Sequence, residues 1–232
     1  MSRKLGKVDI VEALADRYGY RRYLEIATST TGGRYHALDR ARFDDCRRLL
    51  YNCPADFDDG MPIDYRATGL DIAGLLATIA GEDRRFDVML VDPHHTYEAS
   101  LRDLEAAFGL LQPGGALVVH DCLPPDKATA SPTPRAGAWC GLTYKAFLDF
   151  VSDRTDLRYV TVDTDYGCGV IRKTEAVRRG PVARWLERRR RSQWAAVGDD
   201  ADAAWLVFSR HRRGLLRLIS KDRFLRDGDD LA

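Results

Sequence analysis

Two apolar runs that each end in a carboxylate constrain the fold of this chain more than any other feature. The first run covers 86–92 and ends at Asp92, and the second covers 116–121 and ends at Asp121. Such runs are typical of parallel strands that are buried on both faces of a sheet. Apolar residues with helical spacing over 97–111 lie between them. The sequence therefore predicts a strand–helix–strand unit with both carboxylates at the same edge of a parallel sheet.

Helical and strand-like stretches alternate along most of the chain. The predicted helices cover 8–18, 42–50, 72–80, 97–111 and 144–151, and the predicted strands cover 23–27, 63–67, 86–92, 116–121, 159–163 and 168–172. Asp71 is the predicted N-cap of the helix over 72–80. The last two strands flank a four-residue turn, the pattern of an antiparallel hairpin. This order predicts an α/β domain over 1–175, with a doubly wound, mostly parallel sheet and an antiparallel C-terminal hairpin.

Residues 176–232 are predicted to form a basic, helical C-terminal extension. An arginine-rich helix with four arginines at 188–191 follows Pro181, and a second helix is predicted over 203–219. The arginine run is more typical of a solvated helix face that pairs with acidic residues than of a phosphate-binding or membrane-surface patch. The role of the extension stays open between a lid, an arm that forms a homodimer, and a docking surface.

The charge balance and the cysteines exclude several classes of protein. The chain has 36 Lys and Arg residues against 35 Asp and Glu residues, and a net charge of +1 argues against a nucleic-acid-binding protein. No stretch approaches the roughly 18 apolar residues of a membrane span, and no apolar segment follows the charged start to indicate a secretory signal. The five cysteines form no CxxC pair, so we expect reduced thiols in a cytoplasmic enzyme rather than disulfides or a zinc site.

The first polar cluster begins at the predicted strand over 23–27. Glu25 lies near its end, and small or hydroxyl-bearing residues cover 28–33. Small residues let a ligand approach the backbone, and a helix start supplies free N–H groups. A dinucleotide-binding fingerprint requires GxGxxG, and Ala27 and Ser29 stand at its first glycine positions, which disfavours NAD. An ordinary tight turn is the alternative interpretation.

The second and third clusters follow the two apolar runs and carry the candidate catalytic groups. Asp92 is followed by His94 and His95, and His120 precedes Asp121. The imidazoles of His95 and His120 are candidate bases near neutral pH, and Asp92 is a candidate to orient a base or hold a cation. Asp92 and Asp121 also form, with a histidine, an oxygen-rich set for Mg²⁺ or another divalent ion. The alternatives are a metal-free acid–base pocket, or solvated histidines beside an ordinary helix cap.

The predicted hairpin turn holds further polar residues. Asp163, Asp165 and Tyr166 stand there beside two glycines. Because aspartate and glycine are the residues that tight turns require, the sequence assigns this segment a structural role.

Taken together, three motifs resemble those of the class I S-adenosylmethionine-dependent methyltransferases. They are Tyr23-Leu24-Glu25-Ile26, Asp92-Pro93-His94-His95-Thr96-Tyr97-Glu98, and Leu111-Gln112-Pro113-Gly114-Gly115-Ala116-Leu117-Val118-Val119-His120-Asp121. The pattern is most similar to the branch of sugar and antibiotic O-methyltransferases, whose members often bind a divalent metal. The resemblance covers residues 8–173 and implies a Rossmann-like methyltransferase fold.

The resemblance also implies roles for the matching residues. Asp92 would lie at the methyl-transfer point, Asp121 would be its metal partner, and His95 or His120 would be the base. Glu25 and the turn after it would hold the amino acid part of the cofactor, and residues Thr68 to Asp71, after the predicted strand over 63–67, would lie near the adenine. The residues implied to bind the cofactor are Glu25, Thr28, Ser29, Thr30, Gly32, Thr68, Asp71 and Asp92.

This sequence departs from the pattern of that branch in its first motif and in the segment after Asp92. Ala27 replaces the glycine usual two residues after the glutamate, and Pro93 and His94 replace the usual residues before His95. The carboxylate that would hold the ribose stays open, the candidates being Asp39, Asp56, Asp58 and Asp59.

The expected function is S-adenosylmethionine-dependent O-methylation. The expected acceptor is a hydroxyl of a sugar, a glycan precursor or another polar small molecule, with a divalent metal as a candidate second cofactor. Two other classes stay open. One is a non-catalytic cofactor-binding or scaffold protein in polysaccharide assembly, and the other is a metal-dependent hydrolase.

Overall fold

The computed structural model describes residues 6–29, 35–152, 154–175, 192 and 194–227. Its strands are β1 Arg22–Thr28, β2 Asp45–Tyr51, β3 Tyr65–Arg66, β4 Phe86–Asp92, β5 Leu111–Val119, β6 Leu157–Asp163, β7 Cys168–Lys173 and β8 Leu218–Ser220. Its helices are α1 Lys7–Tyr18, α2 Ala73–Gly81, α3 Tyr97–Leu110, α4 Thr143–Ser152, α5 Ala201–Leu215 and α6 Lys221–Asp227, with short 3₁₀ turns at Tyr35–Ala37 and Arg40–Arg42. None of the helices within these ranges is both long and apolar enough to cross a bilayer.

The strands form one sheet in the order β3-β2-β1-β4-β5-β7-β6-β8. Strands β1 to β5 run parallel, whereas β7 is antiparallel to both of its neighbours, β5 and β6. This topology confirms the predicted doubly wound sheet with its antiparallel C-terminal hairpin. The strand order reverses between β1 and β4, and ligands of such sheets bind outside the carboxyl ends of the strands at that point.

Each face of the sheet is covered by helices. On one face α2, α3, α4 and α5 pack against alternate strand residues such as Leu24, Met89 and Leu117. On the other face α1 and α6 pack against Tyr23, Leu90 and their neighbours. Because side chains alternate between the faces of a strand, Glu25 and Asp92 lie on the α1 face.

The predicted helix over 42–50 is wrong, because this segment forms a 3₁₀ turn and then β2. Its apolar residues, Phe43, Cys46, Leu49 and Leu50, recur at intervals of three or four, the spacing that is typical of an amphipathic helix. The charges are instead satisfied by segments distant in sequence: Arg47 pairs with Asp64 at 2.7 Å, and Arg84 pairs with Asp45 at 2.6 Å. The end of the segment is wholly buried between β1 and β3, where a strand completes the sheet.

The predicted helix over 203–219 is correct only for its first part. Helix α5 ends at Leu215, Arg217 takes a positive φ of 49°, and Leu218–Ser220 pairs with β6 as β8. A positive φ at a non-glycine residue interrupts a helix, so the last residues join the sheet. The predicted arginine-rich helix after Pro181, with its four arginines at 188–191, lies outside the described residues.

Asp71 lies one residue before the N-cap of α2, which is Ile72, and its carboxylate accepts a hydrogen bond from the Ala73 N–H at 3.1 Å.

Candidate active site

The carboxyl ends of three adjacent parallel strands bring the predicted carboxylates together. Ala27 of β1 is in register with Asp92 of β4, and Val91 of β4 is in register with Val119 of β5. The backbone N–H of His120 continues this pairing by donating to the Val91 carbonyl at 3.0 Å. The residues after β5 therefore lie directly beside the end of β4.

Asp92, Asp121 and two histidines form a compact buried cluster. The His95 Nε2 lies 2.8 Å from Asp121 Oδ2 and 3.7 Å from Asp92 Oδ1. The His120 Nδ1 lies 3.0 Å from Asp121 Oδ2 and 3.3 Å from Asp92 Oδ1. All four side chains are at most one-tenth exposed. The structure thus brings together the groups that the sequence predicted as bases and as metal ligands.

The loop before α4 fixes the positions of His95 and Asp121. The Leu142 N–H donates to the His95 carbonyl at 2.8 Å, and the Cys140 thiol donates to Asp121 Oδ1 at 3.1 Å. Gly141 has a φ of +54°, and a Cβ there would lie 2.0 Å from the His95 carbonyl oxygen. Only glycine fits this approach, so the loop holds the histidine backbone rigidly.

A second buried network positions the segment that carries the histidines. The Tyr51 hydroxyl, at the end of β2, donates to Asp103 and accepts from the His94 N–H at 2.7 Å. Burial raises the pKa of Asp103 to about 6, against the lowering effect of Arg102 and the Tyr51 hydroxyl. The network ties the carboxyl ends of β2 and β4 to α3.

Lys7 is the principal site residue that sequence reasoning missed. Its ammonium forms an ion pair with Asp92, and the Lys7 side chain is only 4% exposed. The Lys7 backbone N–H also donates to Asp165 Oδ2 at 3.2 Å. Asp165, in the hairpin turn assigned a purely structural role, in turn lies 3.5 Å from the His120 Nε2. The start of α1 and the turn between β6 and β7 therefore both contribute to the cluster.

Opposite charges control protonation in the cluster. Burial alone would raise the pKa of Asp92, but the Lys7 ammonium and His120 lower it well below its usual range. Burial alone would lower the pKa of His95, but hydrogen bonds with Asp121 and Asp92 raise it to about 9. The same two carboxylates raise the pKa of His120 well above its usual value, against the effect of burial.

Glu25 lies on the same face of the sheet as Asp92, two residues before the strand position paired with it. It is wholly buried, with the Tyr23 hydroxyl donating at 3.2 Å and the Arg48 Nε 3.6 Å away. Burial raises the pKa of Glu25 to about 7, in spite of the opposing effect of Arg48. Its Oε1 accepts no hydrogen bond from the part of the chain that the structure describes. This carboxylate is therefore poised to accept a bond from a cationic ligand group.

Of the other residues implied to bind the cofactor, two lie at the end of β1 or directly after it and two lie in the loop after β3. Thr28 is buried at the end of β1, and the Ser29 hydroxyl donates to the Asn52 carbonyl at 2.8 Å. Thr68 and Asp71 are exposed in the loop after β3. Thr30 and Gly32 lie outside the described residues.

None of the candidate ribose carboxylates directly follows β2, which ends at Tyr51 and is followed by Asn52. Asp39 precedes the strand, and Asp59 pairs with Arg48 at 2.8 Å. Asp56 and Asp58 are exposed in the loop that leads to β3.

The donor set of the cluster fits a divalent cation. Asp92, His95 and Asp121 are all buried and offer ligand atoms that lie within 4.8 Å of one another. Two carboxylates and one imidazole suit Mn²⁺, Fe²⁺ or Zn²⁺ better than Mg²⁺, which prefers oxygen ligands alone. The Lys7 ammonium already forms an ion pair with Asp92. A metal ion would therefore enter a site whose negative charge is partly neutralised.

A cavity of about 430 Å³ lies next to the cluster. The hairpin turn, the segment after β5 and the end of α5 line it, with Asp163, Asp165, Arg212 and Arg213 among its polar residues. Asp165 faces both this cavity and His120. Neither histidine lines the cavity, which adjoins the cluster through Asp165.

Comparisons with known proteins agree with the fold. A family model described as a methyltransferase domain matches residues 18–122. Among curated protein sequences, none matches the chain. The O-methyltransferase TomG from Streptomyces achromogenes, solved in complex with SAM and involved in tomaymycin synthesis, is 20% identical; 71% of this chain and 78% of that chain align with a TM-score of 0.51. An O-methyltransferase from Bacillus cereus in complex with SAH is 12% identical, over 75% and 84% of the two chains, with a TM-score of 0.52. At these identities the structures share the fold.

Proposed function

We propose that this chain, which carries a class I S-adenosylmethionine-dependent methyltransferase domain, methylates a hydroxyl group of a polar small molecule such as a sugar or a glycan precursor. The observation that carries the proposal is the convergence of Glu25, Asp92, Asp121 and His95 at the carboxyl ends of adjacent parallel strands. When bound, S-adenosylmethionine supplies the methyl group on a positively charged sulfur. Catalysis by the protein then consists of aligning the acceptor oxygen and removing its proton.

Glu25 and Asp92 are suited to hold the positively charged cofactor. Both carboxylates are wholly buried, where an ionic bond is screened little by water. The Glu25 Oε1 lies 3.6 Å from the Arg48 Nε but accepts no hydrogen bond from the described residues, so it can accept one from the ammonium group of the amino acid part. Asp92, one strand away, supplies negative charge toward the sulfur.

His95 is the better candidate for the base. Its Nε2 faces Asp121 at 2.8 Å, which orients the ring, and its buried Nδ1 finds no hydrogen-bond partner among the described residues. Both nitrogens of His120 instead face carboxylates, so that ring is held as a charged group. We expect the pKa of His95 to fall when a cation binds near Asp92, because a neighbouring positive charge disfavours the imidazolium.

A divalent metal is a candidate second cofactor. Asp92, His95 and Asp121 would hold it. A bound ion would lower the pKa of the acceptor hydroxyl and so ease the removal of its proton. Where His95 ligates the ion through Nε2, its Nδ1 carries the ring proton, so His95 would then serve as a ligand and not as the base.

The cavity beside His120 supports a polar acceptor. Its wall contains Asp163 and Asp165, which can accept bonds from hydroxyl groups, and Arg212 and Arg213, which can donate them. Neither arginine forms an ion pair within the described ranges. The lining therefore suits a molecule with several hydroxyl groups and an acidic substituent.

Calorimetric titration with S-adenosylmethionine at several pH values tests the proposal. We expect the affinity to rise up to tenfold per pH unit between pH 5 and 7, because Glu25, with a pKa of about 7, must lose its proton to accept a bond from the ammonium group. Above pH 7 the affinity should level off. Glu25→Gln should bind more weakly at pH 7.5 and lose most of this dependence on pH.

Glu105→Gln, at an exposed position of α3, serves as the matched control and should titrate like the wild type. The absence of binding at millimolar cofactor would contradict the proposal and favour the scaffold alternative. Hydrolysis that needs no cofactor and is lost with a chelator would favour the hydrolase.

A further inference from the structure

A lysine ammonium is buried inside the candidate metal site. Lys7 is 3% exposed and forms an ion pair with Asp92, which is wholly buried. The ammonium contacts Asp92 Oδ2, while His120 and His95 face the other oxygen, Oδ1, at 3.3 and 3.7 Å. One oxygen of a candidate metal ligand is therefore already taken by a positive charge.

The local structure holds this lysine in place against two unfavourable effects. The first turn of a helix disfavours a cation, because the helix dipole is positive there, and burial of an ammonium removes its hydration. The start of α1 is nevertheless anchored twice: the Gly6 N–H donates to Asp9 at 2.7 Å, and the Lys7 N–H donates to Asp165 at 3.2 Å. These anchors direct the side chain to Asp92 rather than to solvent.

The charge of Lys7 bears directly on metal binding. The Asp92, His95 and Asp121 ligand atoms lie within 4.8 Å of one another, so an ion among them would lie close to the ammonium. Repulsion between unit charges is strong at such distances in a site that excludes water. A divalent ion would have to displace the ammonium or bind beside it at reduced affinity.

We propose that Lys7 is a resident cation of this site, and that a divalent metal binds Asp92, His95 and Asp121 only in competition with its ammonium. The carboxylates of this metal site also belong to the proposed methyl-transfer site, and the inference rests on that function for its biological meaning. Metal binding is measured without cofactor or acceptor, so either idea can fail while the other stands.

Titration with Mn²⁺ at fixed pH, followed by the loss of the electron paramagnetic resonance signal of free Mn²⁺, tests the competition. Lys7→Met keeps the length of the side chain and removes its charge. We expect this variant to bind Mn²⁺ at least tenfold more tightly than the wild type. Lys127→Met removes one charge from a 62%-exposed side chain and should leave the affinity unchanged.

The double variant Lys7→Met/Asp121→Asn locates the effect. We expect it to lose the gain in affinity, because one carboxylate of the three candidate ligands, Asp92, His95 and Asp121, is gone. Asparagine tolerates the positive φ of 62° at position 121, so the backbone should be unchanged. The proposal is overturned if Lys7→Met binds Mn²⁺ no more tightly than the wild type. It is also overturned if neither protein binds Mn²⁺. A gain that survives Asp121→Asn overturns it as well.

A measurement on the wild-type protein covers the case in which Lys7→Met fails to fold. The ¹⁵N resonance of the Lys7 ammonium, identified by its absence in Lys7→Arg, is followed during addition of Zn²⁺. We expect it to shift in step with saturation of the site, because the ion displaces or repels the ammonium. Saturable binding of Zn²⁺ with no change in this resonance, or no binding up to millimolar Zn²⁺, overturns the proposal.

Discussion

Replacement of both His95 and His120 by alanine is expected to lower the rate of methyl transfer at least about a thousandfold, because a positioned base contributes about 10²–10⁴-fold. The same variant should bind S-adenosylmethionine within a few-fold of the wild type, since Glu25 and Asp92 remain. The rate is measured as transfer of a radiolabelled methyl group to a hydroxylated acceptor found by screening sugars and polar phenols with the wild-type protein.

The double variant His36→Ala/His211→Ala is the matched control, because both of these histidines are exposed and neither belongs to the cluster or lines the cavity. It should retain the wild-type rate. The single variant His95→Ala should account for most of the loss, since both nitrogens of His120 face carboxylates whereas the His95 Nδ1 faces none among the described residues. Full activity in His95→Ala/His120→Ala would remove the proposed mechanism.

Asp92→Asn is expected to reduce the free energy of unfolding by about 3–5 kcal/mol, because it leaves the Lys7 ammonium buried without a counter-charge. Urea denaturation at pH 7 measures the change. Lys7→Met/Asp92→Asn should recover at least half of the loss, since it removes the unpaired charge as well. Asp156→Asn disrupts a pair with Arg154 at the surface and should change stability by less than about 1 kcal/mol.

Equal stability of Asp92→Asn and the wild type would show that Lys7 reaches water when its partner is lost. The ion pair would then be an exposed contact rather than part of a buried cluster. The resident-cation hypothesis would lose its structural basis with it.

The sequence predicted the parts of the fold in which neighbouring residues determine the structure. The apolar runs of β4 and β5 and the turn of the β6–β7 hairpin are local patterns, and the structure confirms them. The predicted Rossmann-like methyltransferase fold is confirmed by the similar solved structures, and a family model described as a methyltransferase domain matches residues 18–122. The segment of β2 was assigned to a helix because its charges are satisfied by residues that only the tertiary fold brings near.

For the same reason, the sequence predicted some residues of the candidate site and missed others. Asp92, His95, His120 and Asp121 follow strand ends, where topology alone brings them together. Lys7 is 85 positions from its partner, and the only local sign of its role is a cation in the first turn of a helix, where the dipole disfavours it. Asp165 matched the composition of an ordinary turn, so its contact with His120 required the structure.

A crystal structure of the protein with S-adenosylhomocysteine tests most directly the claim that these strand ends form one methyl-transfer site. We expect the ammonium of the amino acid part to lie within hydrogen-bonding distance of Glu25 and the sulfur to face Asp92, with His95 on the acceptor side. Binding of the cofactor product elsewhere on the molecule, or with its sulfur turned away from Asp92 and His95, would contradict it.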